Sequence, residues 1–296
     1  MPEVCEVCLT SQYLKKIIGD SIININVVHG RYLKTPIKGL SDLTYPMVVT
    51  DIQTKGKFMW MSLEHENESI YLLNTFGLTG RWSFDKLDHV SVVFTLQKKQ
   101  KKYDLYFDDI RNFGTIEFTK DVKKIGKKLD LLGDDLLRSN YSSNDIQERI
   151  ASIKNQKKKI VVVLMTQDKK NGIGSGLGNY LVPEILYMAK LSPHRTIESL
   201  TKKDIVNLTN AIKTTLYLCY NYNTTDYVDH LKKFLATHKK YVLSGKFPDF
   251  HVSHKNSEKN NEFKVYRRKT DDDGHKVIGE RIIKGRTTYW VPDVQH

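Results

Sequence analysis

The residues of this chain whose types and spacing could do chemistry begin with Met1-Pro2-Glu3-Val4-Cys5-Glu6-Val7. Loss of Met1 would leave the secondary amine of Pro2 as the leading group. A free α-amino group has a pKa near ~8 against ~10.4 for a lysine side chain, so far more of it is unprotonated at neutral pH and able to attack an electrophilic carbon. Condensed with a sugar C1′, a secondary amine gives an iminium that is charged without a further proton. That charge acidifies the C2′ hydrogen and makes elimination accessible. Glu3, next in the chain, could supply the acid or base for ring opening and proton transfer. Alone, a proline after an initiator methionine is ordinary, so the rest of the chain has to decide.

Two further stretches carry chemistry-bearing patterns. Asn171 to Tyr180 reads NGIGSGLGNY ahead of a helical run. Glycines there would let backbone N–H groups approach an anion closely, and the start of the next helix favours negative charge, so a phosphate is the natural ligand. A flexible interhelical turn is the alternative. The dinucleotide fingerprint fails because Asn179 occupies the third glycine position, and no Gly-Lys-Ser/Thr follows. Cys5 and Cys8 have C-x-x-C spacing, but no second cysteine pair exists and His251 and His254 lie far along the chain, so a zinc site is not completed, and a thioredoxin-type redox motif would need a preceding strand.

The elements that must position these groups belong to a soluble chain of 296 residues with a formal net charge of +13. Such an excess points to an anionic partner, nucleic acid before membrane, although a Lys-, Asn-, Ile- and Tyr-rich composition is also what an AT-rich genome yields. No apolar run is long enough to span a membrane, and residues 1–20 lack a signal-peptide pattern. With three cysteines and no disulfide framework, a reducing compartment is expected, nuclear or cytoplasmic (a viral factory if virus-encoded), and not secretion.

Apolar spacing predicts an N-terminal helix over residues 4–18. Period-two runs then follow at Ile22–Val27, Met47–Ile52, Lys57–Leu63, Ile70–Asn74, Val90–Leu96, Tyr103–Phe107 and Thr115–Phe118, which together suggest a β-sandwich with flanking helices over residues 1–120. Residues 121–252 read as a helical domain, with helices at Asp121–Leu132, Asn144–Lys154, Leu181–Lys190, Ile197–Tyr222 and Asp226–Leu243; Ile160–Met165 fits a strand or a buried helix equally. Residues 253–296 read as a polar loop and an antiparallel ribbon with strands at Phe263–Arg268, Val277–Ile283 and Arg286–Val291. The fold class is therefore α+β in two domains.

These pieces together resemble the formamidopyrimidine-DNA glycosylase and endonuclease VIII family over essentially the whole chain. Pro2, Glu3 and Glu6 match its Met-Pro-Glu-x-x-Glu start, Lys57 in TKGKF its strand lysine, and LDHV at 87–90 its histidine strand. Asp109-Ile110-Arg111-Asn112-Phe113-Gly114 is similar to its Asp-Pro-Arg-Arg-Phe-Gly motif, with departures at Ile110 and Asn112. Leu132–Leu136 is similar to its interdomain Leu-Gly-Pro-Asp-Pro-Leu segment. GLGNYLVPEILY at 176–187 resembles its helix-two-turn-helix signature, and GRTTYWVP at 285–292 its Gly-Arg-x-Thr-Tyr strand. Val291 and Val294 stand where the last two zinc cysteines would be, which places the chain closest to the zincless-finger, endonuclease VIII-like subgroup of vertebrates and giant viruses.

The resemblance implies a bifunctional DNA glycosylase and abasic-site lyase that removes oxidised bases, pyrimidines favoured, and cuts by β,δ-elimination with no metal or cofactor. Pro2, Glu3 and Lys57 would be its catalytic residues and Glu6 a supporting one. Gly178, Asn179 and Arg286 would bind DNA phosphates, with Lys57 sharing that grip. Leu78, Arg111 and Phe113 would fill the stack that an everted base vacates. The expected partner is damaged DNA, with single-stranded or bubble substrates left open, and the expected state is a monomer. The alternative is a catalytically idle nucleic-acid binder on the same fold.

Overall fold

The computed structural model describes residues 2–221 and 263–296, which form two compact units. The first holds residue 2 and residues 6–129, the second residues 3–5, 130–221 and 263–296. The expected helix at Asp226–Leu243, the loop at Ser253–Glu262, and Met1 lie outside the described residues.

Helix α1 (Val4–Leu14) runs into a short 3-10 turn, Lys15–Ile17, and Gly19 closes the helical segment as expected. The first unit is then built from eight strands: β1 (Ser21–Val27), β2 (Met47–Lys55), β3 (Phe58–His65), β4 (Glu68–Thr75), β5 (Arg81–Ser83), β6 (Val90–Lys98), β7 (Lys101–Asp108) and β8 (Thr115–Thr119). The strands expected for a sandwich are hydrogen-bonded into one antiparallel sheet of order β5-β7-β6-β1-β2-β3-β4-β8. β1 and β2 share only the pairs Ser21↔Val48 and Ile22↔Met47, so two four-stranded halves meet at a narrow seam.

Alternation sets the inner face, and where it slips a bulge is present. In β2, Met47 and Val49 are buried, the register shifts between Val49 and Asp51, and Ile52 and Thr54 take over the inward positions. β5 was missed in the sequence because three residues show no period. It is fixed instead by Trp82, 1% exposed, whose ring packs on Phe94 and Phe107 and whose Nε1–H donates to Asn74 Oδ1 at 3.0 Å.

α2 (Val122–Leu131) precedes the helices of the second unit: α3 (Ser143–Ser152), α4 (Ile160–Met165), α5 (Leu181–Met188) and α6 (Lys202–Asn221). α3 starts on a capping box between Ser142 and Asp145. The ambiguous run at 160–165 is helical; Ile160, Val161, Val163 and Leu164 are all 0% exposed, and burial on every side erases the period that would have distinguished helix from strand.

The ribbon consists of β9 (Ile278–Ile283) and β10 (Arg286–Trp290). The strand expected at Phe263–Arg268 is not formed. The N–H groups of Lys264, Val265 and Tyr266 donate to the Glu184 carboxylate of α5 at 2.7, 3.0 and 2.8 Å, so the donors a strand would offer a neighbour are already used. The ribbon's core is apolar: Val265, Val277 and Val291, with Tyr187, Tyr289 and Val294 packed against it.

Candidate active site

In the second unit the start of the chain lies on the glycine-rich loop that precedes α5. The Val4 N–H donates to Gly176 O at 3.1 Å, and the Tyr180 N–H donates to Glu3 Oε1 at 3.0 Å. Glu3 is 0% exposed. The approach is so close that a Cβ at residue 178 would stand 2.4 Å from Glu3 Oε1 and 2.5 Å from its Cδ, which only glycine permits. The loop was read as a cradle for an anion. Here one backbone donor of that loop, the Tyr180 N–H, goes to the chain's own Glu3 carboxyl group.

Gln167, which sequence reasoning did not single out, holds the loop in shape. Its Nε2 donates to Met165 O at 2.8 Å and Leu177 O at 2.9 Å, and its Oε1 accepts the Gly176 N–H at 2.8 Å. A lone glutamine gives no such signal in a sequence. Asn179 follows Gly178 at the end of the loop, and its Oδ1 is buried with no hydrogen-bond partner among the described residues.

Pro2 lies immediately before Glu3, and Glu6 is 9% exposed in α1. Cys5 and Cys8 are buried and not joined in a disulfide, and the Cys5 thiol donates to Leu216 O at 3.6 Å. Arg286 opens β10, exposed, with Nη1 3.2 Å from the sulfur of Met165. A cysteine-ligated zinc does not fit the ribbon: no cysteine follows Cys219 in the sequence, and Val291 and Val294 belong to the apolar cluster.

In the first unit, Lys57 sits on the two-residue turn between β2 and β3, past the end of the Lys55↔Phe58 pair, rather than inside a strand. The three expected stack fillers come together on two tied loops. Leu78 is half-buried on the turn closed by Gly80 N–H to Phe76 O at 2.8 Å. Its neighbour Thr79 donates to Asp109 Oδ1 at 2.6 Å and accepts the Arg111 N–H at 3.0 Å. Asp109 Oδ2 accepts the Gly114 N–H at 2.6 Å, closing the loop that exposes Arg111 and Phe113. Phe113 is 58% exposed, which argues against an ordinary core role.

The eight-stranded antiparallel sheet, the helical unit with its glycine-rich turn, and the small terminal hairpin define a two-domain α+β glycosylase fold. Three domain models match successive parts of the chain: the formamidopyrimidine-DNA glycosylase N-terminal domain over residues 1–116, the H2TH domain over 132–226 and the C-terminal domain over 252–296. The chain belongs to the formamidopyrimidine-DNA glycosylase family, a family of oxidised-base repair enzymes. Among its relatives, the formamidopyrimidine-DNA glycosylase of Wolbachia sp. subsp. Drosophila simulans is 28% identical over 224 residues, covering 73% of this chain and 77% of the relative. That of Syntrophomonas wolfei is 26% identical over 240 residues, covering 78% and 82%. The fold is shared with MutM (Fpg) from Thermus thermophilus (TM-score 0.70, 21% identity, 99% and 98% of the chains). It is also shared with a Lactococcus lactis Fpg variant in complex with a Fapy-dG containing DNA (TM-score 0.72, 21% identity, 100% of both).

Proposed function

We propose that this chain is a bifunctional DNA glycosylase and abasic-site lyase of the zincless-finger, endonuclease VIII-like branch, which removes oxidised pyrimidines in preference to 8-oxoguanine. The observation that carries the reading is the seating of Glu3: a buried carboxylate, fixed by the Tyr180 N–H and the bare face of Gly178, covalently next to Pro2. An acid–base group is thus held one residue from a candidate amine nucleophile. The apolar ribbon core built on Val291 and Val294 supports the zincless branch. The net charge of +13, and the DNA present in complexes of similar fold, support damaged DNA as the partner.

In this mechanism the Pro2 nitrogen bonds to C1′ as the glycosidic bond breaks, and the base leaves with a proton. Glu3 takes the proton of the Pro2 ammonium and delivers it to the ring oxygen as the sugar opens to the C1′ iminium. Loss of the C2′ proton expels the 3′ phosphate, and a second elimination expels the 5′ phosphate. Hydrolysis of the iminium then returns the amine. Lys57, Asn179, Gly178 and Arg286 bind phosphates while the nucleotide is everted, Glu6 supports the site, and Leu78, Arg111 and Phe113 occupy the vacated stack. The enzyme acts as a monomer without a cofactor, in the nucleus or cytoplasm.

A panel of single-lesion oligonucleotides, each as duplex, bubble and single strand, tests the reading. The expected result is faster cutting at oxidised pyrimidines than at 8-oxoguanine, with phosphate on both sides of the gap. Preference for 8-oxoguanine, or products ending in an unsaturated aldehyde alone, would refute the finer assignment. No cutting even of a ready-made abasic site would refute the enzyme.

A further inference from the structure

The loop Asp109–Gly114 between β7 and β8 holds two large apolar side chains in solvent, Ile110 at 52% and Phe113 at 58% exposed, on either side of exposed Arg111. Withdrawing the exposed part of either from water would be favourable, so a slack loop would fold them inward. This loop is not slack. Besides the Asp109 and Thr79 bonds, it is gripped by the short 3-10 turn Gly30–Leu33. Tyr32 OH donates to Gly114 O at 3.3 Å and accepts the Ile116 N–H at 2.6 Å. Asn112, in the left-handed region at φ 57, accepts the Arg31 N–H on Oδ1 at 3.2 Å, and its carbonyl lies 3.5 Å from Arg31 Nη1. Its side chain fills the space a Cβ on Gly30 would need: such a Cβ would stand 2.1 Å from Asn112 Oδ1, and Gly30 itself has φ +81. Residues 30 and 112 thus fit as a lock.

We propose that Asn112 is a positioning residue for base eversion: through Arg31 and Gly30 it holds Ile110, Arg111 and Phe113 as a preformed wedge, set before DNA arrives. This rests on the glycosylase reading above. A preformed wedge need not be ordered at the moment of insertion, and that ordering would otherwise subtract from the binding that drives a base out of its stack. Its contribution is confined to substrates in which a base must leave a paired stack. A single-stranded abasic site has none.

The test compares Asn112→Gly, which tolerates positive φ but removes the side-chain acceptor, with Asn112→Asp, which keeps an oxygen in the same place. Asn112→Gly is expected to slow single-turnover excision from duplex by about tenfold, the scale of one lost hydrogen bond. Asn112→Asp should remain near the wild-type rate, and both should cleave single-stranded abasic oligonucleotide as the wild type does. Wild-type duplex excision by Asn112→Gly, or an equal loss on both substrates, overturns the role. A wild type that cuts neither substrate overturns the glycosylase reading and this role with it.

Discussion

At the scale of single residues, the contact between Gly178 and Glu3 is the most exacting feature of the molecule. A methyl group at 178 cannot coexist with the carboxylate at 2.4 Å, so Gly178→Ala must displace one of them. Misplacing a reacting group by about an ångström costs on the order of a hundredfold in rate. We expect Gly178→Ala to reduce single-turnover base excision by roughly that factor while melting close to wild type; full activity would mean that Glu3 does not work from this position. Glu3→Gln separates the two halves of the reaction. Base removal should fall more than cleavage of a ready-made abasic site, which has no base to release, and equal loss of both would contradict the role given to Glu3. Pro2, Glu3 and Gly178 could be singled out in the sequence only through their company, the Met-Pro-Glu start and the glycine-rich run taken with the motifs between them. Gln167 and the Tyr180 N–H could not, since a backbone donor has no sequence signature and an amide side chain has too common a one.

At the scale of elements, the ribbon that carries Arg286 is attached to α5 by Glu184. Burial pushes the Glu184 carboxyl up, and the three backbone N–H groups of Lys264, Val265 and Tyr266 act against that. Truncation in Glu184→Ala would leave those donors without an acceptor, at a cost of about 3 kcal/mol. The expected readings are a lowered Tm and weaker excision through a loosened Arg286; an unchanged Tm would show that the tether is dispensable. The ribbon turn also responds to pH. The hydrogen bond to Asp271 raises His275 above its ordinary 6.5, with burial working against it. A raised histidine pKa contributes stability that is fully present below 6.5 and is lost as pH rises through the folded-state value. NMR titration of His275 should therefore give a midpoint above 6.5 that falls in Asp271→Asn, and a midpoint at or below 6.5 would contradict the assignment. The sequence marked seven of the eight sheet strands through their alternation. It misread 263–268 because apolar and aromatic residues there resemble a strand while their N–H groups go to a carboxylate, a choice that periodicity does not record.

At the scale of the whole molecule, motifs spread along nearly 300 residues follow the order of one family's domains, and that order was readable before their geometry was. What remained hidden is how the loops are held, the locked loop at 109–114 and the pinned glycine turn, whereas the apolar hold of the ribbon follows from valines at 291 and 294. The central claim is that the amine of Pro2, freed of Met1, is the nucleophile. It is tested most directly by incubating the purified protein with abasic DNA, reducing with borohydride, and mapping the covalent adduct by peptide mass analysis. The account predicts a single adduct on Pro2, in protein whose mass shows Met1 removed, and none in protein that retains Met1, where the proline nitrogen is locked in an amide. An adduct on a lysine, or full activity with Met1 in place, would contradict it.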